Sequence, residues 1–274
     1  MPSGPSRDSR TAYRVLIILM NAGAVFEETT LQSNEGTGMR RKIICAIDTG
    51  NKEEAIGLVK KLSPFVGAFK IGHALTLPYG LDVIDTLQDA GADRIFLDLK
   101  FHDIPNSVAL GVREAAKHGV WMTTLHIAGG PAMINAAVEE AHEFGLNKAP
   151  LLIGVSVLTS LDERALKEFS GVDRSVEEQM VSLSRLGVDC GLDGVVTSTH
   201  EVRAIRSAIG HAVIVTPGIR PINYDAHDQK RFGDARSALA DGSDYLVVGR
   251  ALTGSDDPLA ALAELGLLED EAVS

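Results

Sequence analysis

The chain of 274 residues has little cysteine, no surplus of positive charge and no hydrophobic run long enough for a membrane span. Its two cysteines, Cys45 and Cys190, give neither a disulfide framework nor the spacing of a metal site, so we expect a reducing, cytoplasmic setting. A net charge of −11 argues against the basic face that nucleic acids and anionic membranes require. We therefore expect neither as a partner, and any anionic ligand must meet local positive groups.

The N-terminal 40 residues differ in composition from the rest of the chain. Their one apolar run, Ala12 to Phe26, is too short to span a bilayer. We expect residues 1–40 to be an extension that is disordered or precedes a natural start at Met39. Residues 41–274 are expected to form one catalytic domain, because a chain of this length with 45% hydrophobic residues can bury one large core.

From Lys42 onward, short apolar or β-branched runs alternate with amphipathic helical stretches, which is the pattern of parallel βα units. The predicted strands are Lys42–Ile47, Ala68–Ile71, Arg94–Leu99, Trp121–His126, Leu151–Val157, Gly194–Val196, Ala212–Val215 and Tyr245–Val248. The predicted helices include Lys52–Leu62, Val108–Lys117, Pro131–Phe144 and Ser175–Leu186. These units predict an α/β fold, a single (β/α)₈ TIM barrel. A doubly wound open sheet is the alternative, but no G-x-G-x-x-G follows the first strand, which weakens its dinucleotide-binding form.

The stretch FLDLKFHDIPNS carries three charges where the third predicted strand ends. The two-residue period of a strand places Asp98 and Lys100 on one face, and Asp103 follows in the loop before Pro105 begins a helix. An ammonium group among carboxylates stays protonated, so this stretch offers a fixed cation and proton donor. Barrel enzymes keep their chemistry at the carboxyl ends of strands, which favours an active site over the alternative of a surface salt bridge.

Other predicted strands also end in polar side chains. Asp48 follows the first strand, where its carboxylate either accepts hydrogen bonds from sugar hydroxyls or caps the next helix, and Lys70 lies near the end of the second. His126 ends the fourth strand, where a hydrogen-bonded structural histidine is expected. Ser156 and Thr159 offer small hydrogen-bonding groups after the fifth strand.

The last two strands carry a phosphate-binding pattern. The motif TPGIRP places Arg220 in a loop shaped by glycine and proline, and VVGRALT places Gly249 and Arg250 where the eighth strand turns into a helix. In barrels of this type, backbone N–H groups and an arginine at these two loops commonly bind phosphate. The loop between the motifs contains Gln229, which has the length to reach the same ligand.

Taken together, these segments closely resemble the bacterial orotidine 5′-phosphate decarboxylase family from Arg41 to about Leu265. The stretches that carry the resemblance are CAID, FKIG, DLKFHDIPNSV, VLTS, TPGIRP and VVGR, in that order. The resemblance implies a homodimeric barrel with shared active sites. It would convert a small-molecule nucleotide, orotidine 5′-phosphate, to uridine 5′-phosphate, the last step of de novo pyrimidine synthesis, without metal or organic cofactor.

The resemblance also implies a role for each matching residue. Lys100 is the proton donor, and Lys70, Asp98 and Asp103 complete the charged array, with Asp103 reaching into the partner subunit's site. The implied substrate-binding residues are Asp48 and Lys70 for the ribose hydroxyls, Thr159 for the pyrimidine amide, Gln229 for the phosphate and base, Arg220, Gly249 and Arg250 for the phosphate, and Ile104 and Ser107 from the other chain. Ser107 stands where the family often has threonine, a change that keeps the hydroxyl group.

Two other functions remain open from the residues alone. Mg²⁺-dependent sugar-phosphate enzymes of the same wider barrel group, such as hexulose-phosphate synthase or ketogulonate-phosphate decarboxylase, share the D-x-K-x-x-D pattern. At the second strand they are expected to carry an acidic metal ligand where this chain has Lys70, and they tend to have Ala-Gly where it has Ile104-Pro105. A catalytically silent phosphate-binding barrel is the other alternative, because a fold does not fix a function.

Overall fold

Eight parallel strands close into a barrel in which each strand pairs with its neighbours in the chain and the first pairs with the last. The structure, a computed structural model, describes residues 35–145, 148–220 and 233–268. The strands are β1 Ile43–Ala46, β2 Ala68–Ile71, β3 Ile95–Phe101, β4 Met122–His126, β5 Leu151–Val155, β6 Gly194–Val196, β7 Val213–Pro217 and β8 Tyr245–Val248. This topology confirms the predicted TIM barrel and contradicts the alternative of an open sheet.

Helices follow the strands around the outside of the barrel, and we number those of the described residues in chain order. They are α1 Glu35–Lys42, α2 Lys52–Leu62, α3 His73–Tyr79, α4 Asp82–Asp89, α5 Pro105–Lys117, α6 Gly130–Glu143, α7 Glu163–Ser170, α8 Val176–Asp189, α9 Val202–Ile209, α10 Ala235–Ala240, α11 Arg250–Thr253 and α12 Pro258–Glu264, with a short 3₁₀ turn at Ile127–Gly129. The four helices predicted from the sequence are all present. α2 matches at both ends and α5 at its C-terminal end, and the other ends shift by one to three residues.

The helix starts have identifiable local causes. Asn51 caps α2 by accepting hydrogen bonds from the backbone N–H groups of the second and third helical residues. Of the two alternatives given for Asp48, the helix cap is therefore wrong. Ser175 and Glu178 form a reciprocal capping box at α8. Pro105 occupies the first turn of α5, where its missing N–H would have no intrahelical partner.

Alternating side chains divide the core into an interior and an outer layer. The barrel interior is filled by Ile44, Ala46, Ala68, Phe96, Met122, Ile153, Val213, Val215 and Val247. The intervening strand residues, such as Cys45 on β1 and Leu125 on β4, pack outward against the helices in two further clusters. Interior positions beyond Phe96 on β3 and Met122 on β4 therefore point toward the carboxyl-end mouth of the barrel.

The predicted N-terminal extension is only partly described. Helix α1 begins at Glu35, and residues 1–34 lie outside the described residues, so the predicted domain boundary at residue 41 stays a prediction. Within the described ranges, no helix has both the length and the hydropathy needed to cross a membrane.

Candidate active site

A cavity of about 320 Å³ lies at the carboxyl ends of the strands. Eight of the residues predicted for the site line it together: Asp48, Lys70, Asp98, Lys100, Thr159, Arg220, Gly249 and Arg250. Apolar side chains complete the wall, among them Phe96, Val155, Val157, Val196, Val215 and Val247. The cavity thus combines ionic groups with apolar surface and has the size of a small-molecule site.

Four of these residues form a row of alternating charge. Lys70 Nζ lies 3.5 Å from Asp48 Oδ1 and 3.5 Å from Asp98 Oδ2, and Lys100 Nζ lies 2.9 Å from the same Asp98 oxygen. The side chains of Lys70 and Asp98 are only 15% and 13% exposed, whereas Lys100 is 38% exposed and reaches the cavity. Each buried charge is therefore paired, and one ammonium group is presented to a ligand.

Asp98 is the centre of this row. Burial alone would raise the pKa of its carboxyl group, but the ammonium groups of Lys70 and Lys100 and hydrogen bonds from Lys100 and Thr124 outweigh burial and hold it below the usual value. Asp98 is consequently ionised at neutral pH. Its negative charge lies directly beside the Lys100 ammonium group.

Lys100 has an unusual backbone conformation. Among the non-glycine residues that the structure describes, it alone has a positive φ, of 51°. The pairing of β3 with β4 shifts register between Leu97 and Phe101, as in a β-bulge, and the Lys100 N–H donates to the side-chain hydroxyl of Thr124 at 2.9 Å. A bulge of this kind re-aims a side chain, here at the end of a strand that faces the cavity.

Three predicted site residues lie outside this cavity. Asp103, Ile104 and Ser107 are exposed and do not line it. Ile104 is 67% exposed although its side chain is apolar. Asp103 Oδ1 accepts a hydrogen bond from the backbone N–H of Ile104 at 2.6 Å, which fixes the turn before α5. A single chain thus leaves these three residues apart from the row of charges.

The predicted phosphate-binding residues come from the last two strands. Arg220 follows β7, and Gly249 and Arg250 lie at the junction of β8 and α11 on the same cavity. Ile219 and Gly233 form an isolated parallel bridge, so the two ends of the connection that begins at residue 221 lie together. Gln229 lies outside the described residues, and its predicted role stays a prediction.

His126 and Cys45 lie close to the site without lining it. The ring of His126 packs against that of His102 with centroids 5.0 Å apart. Burial lowers the pKa of His126, and His102 and Lys100 lower it further, so the imidazole is neutral at neutral pH and adds no charge beside Lys100. Burial, with a smaller contribution from Asp48, raises the pKa of the Cys45 thiol to about 12, which makes it unreactive.

Residues 41–265 match the family model described as "Orotidine 5'-phosphate decarboxylase / HUMPS family". The chain belongs to this family.

Curated relatives and a solved structure agree with the assignment to the orotidine 5′-phosphate decarboxylase / HUMPS family. A protein of Pseudoalteromonas translucida named orotidine 5′-phosphate decarboxylase is 46% identical over 226 residues, which cover 82% of this chain and 95% of the relative. One of Moorella thermoacetica with the same name is 46% identical over 224 residues, covering 80% and 88%. The crystal structure of orotidine 5′-phosphate decarboxylase from Lactobacillus acidophilus superposes with a TM-score of 0.71 at 34% identity and covers 82% of this chain and 97% of that chain.

Sequence reasoning missed several polar residues at the site of this family member. Thr124, in the interior row of β4, donates a hydrogen bond to Asp98 Oδ1 at 2.8 Å. Thr197 and Ser198 line the cavity directly after β6, and the buried Ser198 hydroxyl bonds to Glu201. The position of Thr197 and Ser198 at a strand end is a signal that was available from the sequence. Ser156, by contrast, is buried and does not line the cavity.

Proposed function

We propose that this protein decarboxylates orotidine 5′-phosphate to uridine 5′-phosphate, the activity for which its relatives are named. The proposal includes that the reaction needs no cofactor. The observation that carries the proposal is the row Asp48, Lys70, Asp98 and Lys100, which shares one cavity with Arg220 and Arg250. A fixed ammonium group and two guanidinium groups in one cavity suit a ligand that is an anion at both ends, with a carboxylate at one end and a phosphate at the other.

The chemistry requires a charge that is already in place. When the bond between the carboxylate carbon and C6 of the pyrimidine breaks, CO₂ leaves and the electron pair stays on C6, in the ring plane, where the π system does not delocalise it. In the proposal, the Lys100 ammonium stabilises this carbanion and then transfers a proton to C6. In the proposal, Asp98 of the same chain and Asp103 contributed by a partner chain position the ammonium close to the departing carboxylate.

The remaining cavity residues would hold the nucleotide. In the proposal Asp48 and Lys70 contact the ribose hydroxyls, Thr159 contacts the pyrimidine amide, and Gln229 contacts the phosphate and base. Arg220, Gly249 and Arg250 bind the phosphate, and this remote binding energy offsets the cost of orienting the base at Lys100. Apart from Gln229, which lies outside the described residues, these residues share one cavity, and that position supports their roles.

The proposal includes a homodimer whose two chains share active sites. Asp103, Ile104 and Ser107 are exposed and do not line the cavity of their own chain, and an exposed isoleucine beside an exposed carboxylate suits a contact with a second copy. In such a dimer Asp103 would approach the partner's Lys100 and complete the charged row. The proposal also keeps a cytoplasmic setting, which the two free cysteines support.

Lys70 distinguishes this function from that of the Mg²⁺-dependent sugar-phosphate enzymes. Its ammonium group lies between Asp48 and Asp98, the two carboxylates that would otherwise be available to a metal ion. A cation at this position repels a divalent ion and replaces its charge.

Release of CO₂ from orotidine 5′-phosphate tests the proposal directly. We expect turnover by the purified protein that is unchanged by EDTA and by added Mg²⁺. Turnover that EDTA abolishes and Mg²⁺ restores would instead support a metal-dependent enzyme. Binding of uridine 5′-phosphate without release of CO₂ would support the catalytically silent barrel.

A further inference from the structure

A buried hydroxyl on β4 connects the two central residues of the site. Thr124 is fully buried, and its Oγ1 donates to Asp98 Oδ1 at 2.8 Å while accepting the backbone N–H of Lys100 at 2.9 Å. One hydroxyl has one hydrogen to donate and lone pairs to accept, so both contacts are satisfied at once. Thr124 does not line the cavity and so has no contact with a ligand there.

The contact to Lys100 coincides with strained backbone. A lysine with φ of 51° is held in a left-handed conformation that brings its Cβ close to the following carbonyl oxygen and is therefore unfavourable. Such a conformation persists only when neighbouring contacts fix it. At the β3–β4 register shift, the backbone N–H of Lys100 donates to the Thr124 hydroxyl, so a buried side chain of β4 contacts the strained backbone directly.

The second contact of the Thr124 hydroxyl fixes the carboxylate of Asp98, the ion-pair partner of Lys100. Asp98 Oδ2 accepts from Lys100 Nζ and faces Lys70, while Oδ1 is held by Thr124. With both oxygens engaged, the carboxylate cannot rotate about its last bond without losing a contact. The ammonium of Lys100 is therefore positioned from two directions, through its own backbone and through the carboxylate that it contacts.

We propose that Thr124 is a positioning residue for decarboxylation: its hydroxyl fixes the backbone of Lys100 and the carboxylate of Asp98, and so places the ammonium where negative charge develops. The proposal rests on the proposed function for its kinetic consequences, whereas its geometric part is independent of the reaction. Preorganised charges act only in the correct place, and a misplacement of about 1 Å costs on the order of a hundredfold in rate.

The neighbouring residue provides a matched control. Thr123 is also fully buried on β4, but it points toward the outer layer, and its hydroxyl donates to the backbone carbonyl of Leu97 at 2.9 Å. Replacing either threonine by valine removes one buried hydroxyl from the same strand and keeps the shape of the side chain. Only Thr124→Val removes contacts to Lys100 and Asp98.

The experiment compares steady-state kinetics of Thr124→Val, Thr124→Ser and Thr123→Val with those of the natural protein. We expect Thr124→Val to lower kcat by about tenfold to a hundredfold while KM changes by less than about threefold. Thr124→Ser should restore most of the rate, and Thr123→Val should keep kcat within about twofold. A similar kcat for Thr124→Val and Thr123→Val, whether both are normal or both are low, overturns the proposal.

The pH profile separates positioning from a general loss of structure. The Thr124 hydrogen bond helps to hold the pKa of Asp98 down, so its removal raises that pKa. Activity needs the ionised carboxylate. As the pH is lowered, Thr124→Val should therefore lose activity at a higher pH than the natural protein or Thr123→Val does. An unmoved acidic limb together with a normal kcat contradicts the role. If Thr124→Val does not fold, Thr124→Cys takes its place with the same expectations, because a thiol is a weak hydrogen-bonding group of similar size.

A crystal structure distinguishes failure of this proposal from failure of the proposed function. If the natural protein does not release CO₂, the proposed function fails, and the position of Lys100 in Thr124→Val still tests the inference. A relaxed Lys100 backbone or a rotated Asp98 carboxylate supports positioning by Thr124. An unchanged Lys100 and Asp98 in the variant overturns it.

Discussion

At the residue scale, the site depends on how one buried carboxylate is surrounded. The Asp98 carboxylate contacts two ammonium groups and one hydroxyl group. They come from three neighbouring strands: Lys70 on β2, Lys100 on β3 and Thr124 on β4. The sequence predicted Lys70, Asp98 and Lys100, because charged residues at the ends of apolar strands have few structural reasons to be there. It did not predict Thr124, because its role depends on a shift in strand register that no local pattern encodes.

Replacement of Lys100 tests the chemistry at this scale. We expect Lys100→Ala to lower kcat by about 10⁴-fold or more, because in the proposed mechanism this one group supplies both the stabilising charge and the proton. Binding of uridine 5′-phosphate, measured by calorimetry, should remain detectable, since Arg220 and Arg250 are untouched. Lys60→Ala, which changes an exposed lysine on α2, is the control and should leave both quantities unchanged. Near-normal turnover by Lys100→Ala would remove the mechanism.

At the element scale, the alternation of strands and helices was predictable, and the irregular ends were not. Three strands match their predicted bounds at both ends, and the others differ by one or two residues at an end. The most informative difference concerns β3, which was predicted to end at Leu99 but continues to Phe101. The charged residues Asp98 and Lys100 suggested a strand end, although both lie within the strand. A strand that lines a cavity carries polar side chains at its carboxyl end, so its length is underestimated when strands are predicted from runs of apolar residues.

The close approach of β6 and β7 gives a stability prediction. A Cβ at Gly194, the first residue of β6, would overlap the backbone carbonyl and the Cβ of Val213, its partner on β7. The paired strands of a closed barrel cannot move apart to relieve this overlap. We therefore expect Gly194→Ala to lower the free energy of unfolding by about 3 kcal/mol.

A second glycine serves as the control for that prediction. Gly57 lies inside α2, where a Cβ meets no atom within 4 Å, so Gly57→Ala should raise the free energy of unfolding by about 0.5–1 kcal/mol. Urea unfolding at one protein concentration measures both variants. A Gly194→Ala protein as stable as the natural one would show that the two strands can separate at little cost.

At the scale of the whole molecule, one chain does not bring all of the predicted site residues together. The barrel brings eight predicted site residues onto one cavity and leaves Asp103, Ile104 and Ser107 on its exterior. The sequence alone gave no indication of a second chain, and the expectation of a shared site came from family resemblance. The exposure of these three residues is consistent with it, and mixed assemblies can test it.

Mixing two inactive variants tests the shared site. If each site takes Lys100 from one chain and Asp103 from the other, co-expressed Lys100→Ala and Asp103→Ala chains form mixed dimers with one intact site. With half of the dimers mixed and one of two sites intact, we expect about a quarter of the natural activity. The control pairs Lys100→Ala with Asp98→Ala, which lie on the same chain's side of the site and should recover no activity. Recovery in the control, or full activity of Asp103→Ala alone, would contradict a shared site.

The left-handed backbone of Lys100 sets the stability of the barrel against the proposed chemistry at one residue. Glycine or asparagine adopts that conformation at little cost, so a protein selected only to stay folded would carry one of them at position 100. A long charged side chain there costs about 1–2 kcal/mol of stability. Under the proposed role of Lys100, durability and reactivity therefore make opposite demands on a single backbone position.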